Sequence, residues 1–136
     1  MDSEYHRRVI ERFRAGAEID GLLIQRDSLL LLTTVGRRSG KRHTMPMMFQ
    51  RDGDRLLVVG SNAGSSRHPD WYLNLVKTPQ VTVEVGDEAY DAVARRLDSE
   101  ERAEVWPVLK ARYPFLAEYQ AKSSDRVIPV VALTRA

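Results

Sequence analysis

Gly36-Arg37-Arg38-Ser39-Gly40-Lys41-Arg42 places four fixed positive charges and two glycines between two runs of strand-forming residues. A hairpin tip needs glycine or asparagine for its backbone but has no use for such charge density. A loop that grips a phosphate or a polycarboxylate does, because guanidinium groups pair bidentately with such anions and glycine lets backbone N–H groups approach. The competing explanation is a solvated turn whose charges resist edge-to-edge aggregation. Two neighbouring stretches can build a pocket with this loop: Met45-Pro46-Met47-Met48, and Ser61 through Leu75 with His68, Trp71, Tyr72 and Asn74. Methionines and a tryptophan form a soft, flat apolar wall suited to a planar ring. The small residues from Ser61 to Ser66 offer backbone donors at close range. Core filling explains the methionine run equally well.

The elements that must position these residues follow from periodicity. Residues 3–17 read as a helix with Tyr5, Val9, Ile10 and Phe13 on one face and arginines around the rest. Such a face packs on a sheet or, being basic and amphipathic, lies on an anionic membrane. Gly21 and polar neighbours lead into a strand over 28–35, whose unbroken leucines predict burial on both faces. A strand over 43–50 follows, with Pro46 marking an edge, a bulge or a break. Asp52-Gly53-Asp54 turns the chain into a strand over 55–60. Residues 61–67 should hold little regular structure, and Pro69 opens a short helix ending near Val76. Val81, Val83 and Val85 alternate with polar residues, and a strand over 88–97 returns after Gly86-Asp87. Asp98 and Glu101 have capping-box spacing for a helix to about Tyr113, kinked or split at Pro107. A short helix over 116–122 and a strand over 126–133, with Pro129 as another edge mark, complete the chain. Six strands joined mostly by tight turns predict an α+β fold, an antiparallel sheet curled into a small barrel with helices outside, as one domain over 1–136.

Several chemistries are excluded. The 136 residues contain no cysteine, which removes disulfides, thiolate metal sites and thiol nucleophiles. His6, His43 and His68 lack metal-ligand spacing, so no metal is expected. No Gly-x-Ser-x-Gly elbow is present, and Gly36 to Gly40 does not open a helix as phosphate-loop and dinucleotide motifs require. A net charge of +2 and few, dispersed aromatics argue against nucleic acid. No apolar run approaches bilayer length, and the N-terminus lacks a signal-peptide pattern, so a cytoplasmic protein is expected, with peripheral membrane contact through residues 3–17 left open.

Leu31 to Gly40, Ser61-Asn62-Ala63-Gly64, His68-Pro69-Asp70-Trp71-Tyr72-Leu73-Asn74-Leu75, and the tail Tyr113-Pro114, Tyr119-Gln120 and Arg126 to Val131 resemble, in order, the deazaflavin-dependent nitroreductase family. The resemblance runs from about residue 29 to 134. It implies a split β-barrel like that of flavin-mononucleotide-binding oxidases and a bound 8-hydroxy-5-deazaflavin coenzyme, F-420, whose phosphodiester and oligoglutamate tail are anionic. It implies that Arg37, Arg38 and Ser39 hold phosphate and tail, and that Pro46, Met47 and Met48 line the deazaflavin. Val59, Gly60, Ser61 and Asn62 would add backbone and hydroxyl contacts. Asp70, Trp71, Tyr72, Leu73 and Asn74 would close over the ring and ribityl chain. His43 stands where the family often has arginine, and Arg42 next to it is the substitute. Tyr113 and Tyr119 match tyrosines near the substrate mouth, and Ser61 or Tyr119 is the candidate to hydrogen-bond the acceptor oxygen. Leu116 replaces an aromatic residue found over the substrate in some members, which argues against nitroaromatic prodrugs and leaves quinones and enones open. The implied activity is hydride transfer from the reduced coenzyme to a small-molecule quinone, enone or nitro-type acceptor, by a monomer or homodimer. The alternatives are a carrier that binds the coenzyme without turnover, or a barrel for flavin mononucleotide (FMN) or haem.

Overall fold

The computed structural model describes residues 3–16, 26–123 and 125–136. Position 17 of the expected first helix and the link through Gly21 lie outside the described residues. The helices are α1 (Ser3–Arg14), α2 (Asp70–Lys77), α3 (Ser99–Arg112) and α4 (Phe115–Lys122). The strands are β1 (Leu29–Val35), β2 (Arg42–Met48), β3 (Gln50–Asp52), β4 (Arg55–Val59), β5 (Gln80–Val85), β6 (Glu88–Arg96) and β7 (Val130–Arg135). They form one sheet in the order β2-β1-β5-β6-β7-β4-β3, with every pairing antiparallel. The two edge strands, β2 and β3, are separated in sequence by Phe49 alone, so the sheet must curl to bring its ends together. This curled antiparallel sheet with helices outside is the expected split barrel.

Each long-range layer is written into alternating side chains, because successive strand residues point to opposite faces. Leu30 and Leu32 of β1 enter the barrel interior with Val83 and Val131, whereas Leu29 and Leu31 pack outward on Val9 and Phe13 of α1. The leucine run is therefore continuous because two cores need it. On β7, Val131 and Leu133 face the interior, and Val130 and Ala132 pack with Leu109 of α3 and Leu116 of α4. The apolar stripe of α1 is thus used on the sheet, and Arg14 reaches Glu84 on β5 through two hydrogen bonds of 2.9 and 2.8 Å.

Three details differ from the sequence expectations. The segment 43–50 splits at Phe49 into β2 and a short β3, giving seven strands rather than six. Pro46 sits opposite Leu31 in β2, an edge strand, which is where sheets tolerate proline. Helix α3 runs unbroken through Pro107, whose ring is exposed, and its start is secured by the capping box. There the Glu101 N–H donates to Asp98 Oδ1 at 2.9 Å and the Asp98 N–H to Glu101 Oε1 at 3.1 Å. The last strand starts at Val130, leaving residues 126–129 as irregular chain with a role described below.

Candidate active site at the barrel rim

The β1–β2 hairpin tip closes through Gly36 N–H to Lys41 O at 2.7 Å and Gly40 N–H to Gly36 O at 2.9 Å. Gly40 has φ +72°, a left-handed conformation that favours glycine. A Cβ on Gly36 would stand 2.7 Å from Ser39 Oγ and 2.9 Å from His43 Nε2, so glycine lets these two side chains fold over the tip. Helix α2 packs behind β1 and carries Asn74, which is 4% exposed. Its Oδ1 accepts from the Arg37 backbone N–H at 3.1 Å and from Arg37 Nη1 at 2.9 Å. Its Nδ2 donates to Thr34 Oγ1 at 3.2 Å. Arg37 Nη2 also donates to Asp70 Oδ1 at 3.2 Å, and Lys77 Nζ donates to the Arg37 carbonyl at 2.8 Å. Arg37 is thereby fixed between tip and helix, and the amide of Asn74 is largely committed to holding it.

A cavity of about 1070 Å³ opens between this tip, the 61–69 loop and α2. Of the residues singled out in the sequence, Arg37, Arg38, Ser39, His43, Met47, Val59, Ser61, Asn62, Asp70, Trp71, Leu73 and Asn74 line it. Met45, Arg67 and His68 line it as well. Arg42 does not: its guanidinium donates to Thr82 Oγ1 on β5, away from the lining. Pro46 and Gly60 are also outside the lining, and Tyr72 is buried in the barrel core rather than facing the cavity. Arg38 and Arg67, both exposed, have no side-chain hydrogen bond or ion pair among the described residues. They are free cations at the mouth.

A second cavity of about 190 Å³ adjoins the first through shared walls at Met47, Val59 and Ser61. Met48, Phe49, Leu57, Leu109, Tyr113, Phe115 and Leu116 complete it, so it is mainly apolar. The Tyr113 hydroxyl donates to Phe49 O at 2.8 Å, which fixes the ring in the wall. Tyr119 lines neither cavity; it packs on Phe115 with ring centroids 5.2 Å apart, within the core between sheet and helices.

The 61–67 segment is more ordered than its composition predicts, with a short 3-10 turn over Asn62–Gly64. Ser61 is in the right-handed region, while Asn62, Ala63 and Gly64 have φ of +46°, +52° and +79°. A right-handed residue followed by a left-handed one turns successive backbone N–H groups to one side, the geometry that cradles anions and carbonyl oxygens. For Ala63 this conformation costs about 1–2 kcal/mol, so the surroundings must hold it. They do so from the tail of the chain. Arg126 donates from Nη1 to Gly60 O at 3.1 Å, from Nη2 to Ser61 O at 2.8 Å and from Nε to Ser65 O at 2.9 Å. Its Nη1 also lies 3.1 Å from His68 Nδ1. Burial, then the charges of Arg126 and Arg96, push the His68 imidazole below its ordinary value. Sequence reasoning missed Arg126 as a site residue because no local pattern joins it to a loop some sixty positions away. It missed Arg67 too, although an unpaired arginine in a small-residue loop was a usable signal.

The residues meet what a long coenzyme with a flat head and an anionic tail requires: an apolar wall of Met45, Met47, Val59 and Trp71, a cradle of backbone donors, and free guanidinium groups at the mouth. The profile of the F420H(2)-dependent quinone reductase family matches residues 5–135. The chain belongs to this family. An F420H(2)-dependent quinone reductase of Mycobacterium tuberculosis is 36% identical over 112 residues, covering 78% of this chain and 72% of the relative. The solved structure of an F420-H2 dependent reductase, FDR-A, is 39% identical with a TM-score of 0.71, covering 78% of this chain and 93% of that one. A second solved structure, described as a domain-swapped dimer, is 36% identical with a TM-score of 0.74, covering 93% of this chain and 95% of that one. The protein is accordingly a deazaflavin-dependent reductase with coenzyme F-420 as its cofactor. Among the described residues, no helix is long and apolar enough to cross a membrane.

Proposed function

We propose that the large cavity holds the reduced deazaflavin coenzyme and the small apolar cavity holds a quinone-type acceptor, so that the two rings meet at Met47, Val59 and Ser61. The single observation that carries this is the pair of adjoining cavities sharing those walls, one with free cations at its mouth and one apolar. The bound coenzyme supplies a hydride. Everything else falls to the chain. Arg38 and Arg67 attract the anionic tail, as unpaired guanidinium groups pair strongly with phosphate and carboxylate. Arg37 acts indirectly by stiffening the tip between Asn74 and Asp70. Trp71 and Met47 flank the ring, and Phe115 and Leu116 exclude water from the acceptor. Ser61, common to both cavities, is placed to donate a hydrogen bond to the acceptor oxygen as negative charge develops there. Tyr113 is committed to Phe49 O and shapes the pocket rather than moving a proton.

The test is anaerobic decay of the reduced coenzyme's absorbance on addition of menadione and catalytic protein. Leu116→Trp, which fills the small cavity, should raise the menadione KM at least tenfold while leaving coenzyme affinity within twofold. Unchanged menadione kinetics in that variant would place the acceptor elsewhere. The relative solved as a domain-swapped dimer supports a homodimer, which light scattering of the purified protein checks.

A further inference from the structure

Arg126 makes its contacts from an irregular segment that is itself clamped. Gln120 on α4 donates from Nε2 to Arg126 O at 2.8 Å and accepts at Oε1 from Ile128 N–H at 2.9 Å. Arg102 on α3 donates to the same Oε1 at 3.0 Å and to Ile128 O at 2.8 Å. Its guanidinium stacks 4.1 Å from the Trp106 ring centroid, which restrains it further. The backbone carrying Arg126 is therefore held by two helices, while its side chain points into the loop that forms the coenzyme cradle. A planar fork with five donors can satisfy carbonyls at Gly60, Ser61 and Ser65 together, as no other side chain can.

The contact to His68 has a further consequence. Arginine can only donate, so the His68 Nδ1 it faces at 3.1 Å must carry a lone pair. In a neutral imidazole the proton then resides on Nε2. His68 lines the coenzyme cavity, with its ring tilted at 44° to that of Tyr72 and the centroids 4.7 Å apart, so the nitrogen left for a ligand is a donor.

We propose that Arg126 is a positioning residue that pins the 60–65 loop by its carbonyls and fixes His68 as the Nε2–H tautomer, making His68 a hydrogen-bond donor to an oxygen of the coenzyme. The second half of this statement rests on the coenzyme placement proposed above; the first half does not. Burial, then the charges of Arg126 from the tail segment and Arg96 from the end of β6, lower the His68 pKa, and the Tyr72 ring of α2 adds no charge.

Nitrogen-15 NMR of uniformly labelled protein without coenzyme tests the first half. At pH 7.5 wild-type His68 should show a protonated Nε2 and an unprotonated Nδ1. Arg126→Gln should give a mixture of tautomers and a His68 titration midpoint raised toward the ordinary value. Fluorescence titration with the coenzyme tests the second half: its Kd should rise about tenfold in R126Q and in His68→Phe. R126K, which keeps the charge but loses the fork, should not restore the tautomer ratio. A wild-type His68 protonated on Nδ1, or a folded R126Q with unchanged tautomer and affinity, would overturn the proposal. If R126Q fails to fold, the wild-type spectrum and R126K still decide. Failure of wild-type protein to bind the coenzyme, with the expected tautomer present, would instead refute the proposed function.

Discussion

Replacing Asn74 by leucine removes a nearly isosteric amide that is 4% exposed and joins three groups. The Arg37 N–H and guanidinium lose their shared acceptor, and Thr34 Oγ1, on a residue 1% exposed, loses its donor. The guanidinium can turn to water in the cavity, so its loss is small. The Thr34 hydroxyl and the Arg37 N–H have less recourse, and a buried polar group left unpaired costs about 1–3 kcal/mol. The sum expected is about 3 kcal/mol, a large share of the roughly 5–15 kcal/mol that stabilises a domain. With an m-value of about 1.5 kcal/mol/M, the urea midpoint should fall by about 2 M at unchanged slope. Asn74→Asp separates the interactions. It keeps an oxygen for Arg37, and its second oxygen can accept from the Thr34 hydroxyl, so the loss should stay below about 1 kcal/mol at pH 7. All of this is measured on protein free of coenzyme, where a residue serving only to hydrogen-bond the ribityl chain would have no effect. Equal and small shifts for the two variants would refute the assignment of Asn74 as the tie between tip and helix.

Arg38→Ala and Arg67→Ala should each weaken coenzyme binding about tenfold, the worth of one good charge-assisted pair; fluorescence titration at increasing salt should show wild-type affinity falling faster than either variant's. Gly64→Ala should destabilise by about 1–2 kcal/mol, because φ is +79° and a Cβ would meet Tyr119 Cα and O at 3.1 Å; chemical denaturation checks this against Gly53→Ala, which has φ +61° but open space. The Glu101 carboxyl is depressed to about 2, first by its hydrogen bonds from Arg95 and then by the Asp98 backbone. Because the folded value lies below the unfolded one, this stabilisation is complete above pH 4.5 and is lost as pH falls toward about 2. Glu101→Gln should flatten that acid limb of the stability profile.

The architecture was legible wherever side-chain periodicity met a turn signal. Alternating valines in β5, the leucine run of β1 and the Asp98–Glu101 box each encode local geometry, and each appears in the fold as expected. Two boundaries were not legible. Phe49 breaks the β2–β3 stretch where the barrel must bend, and residues 126–129 read as strand from their apolar content but serve to anchor Arg126. Both departures come from tertiary demand overriding a local pattern, which a window of a few residues cannot register.

The arginines show where a count of charges stops being informative. Arg37, Arg38, Lys41 and Arg42 are equivalent in sequence as a basic tip, yet the fold gives the three arginines separate work. Arg37 is tied to Asn74 and Asp70, Arg42 to Thr82, and Arg38 alone among them is without a side-chain partner. What decides is the acceptor each one meets, and those acceptors lie on α2 and β5, more than thirty positions later. The same reasoning explains Arg67 and Arg126. The Arg67 side chain meets no acceptor among the described residues, whereas Arg126 is consumed by the carbonyls of Gly60, Ser61 and Ser65. Mutating the tip arginines one at a time therefore separates the two classes. Arg38→Ala should lower affinity without touching stability, whereas Arg37→Ala should lower stability measurably even when no coenzyme is present. If the two variants behaved alike in both measurements, the hydrogen bonds from Arg37 to Asn74 would not be the reason the tip is ordered.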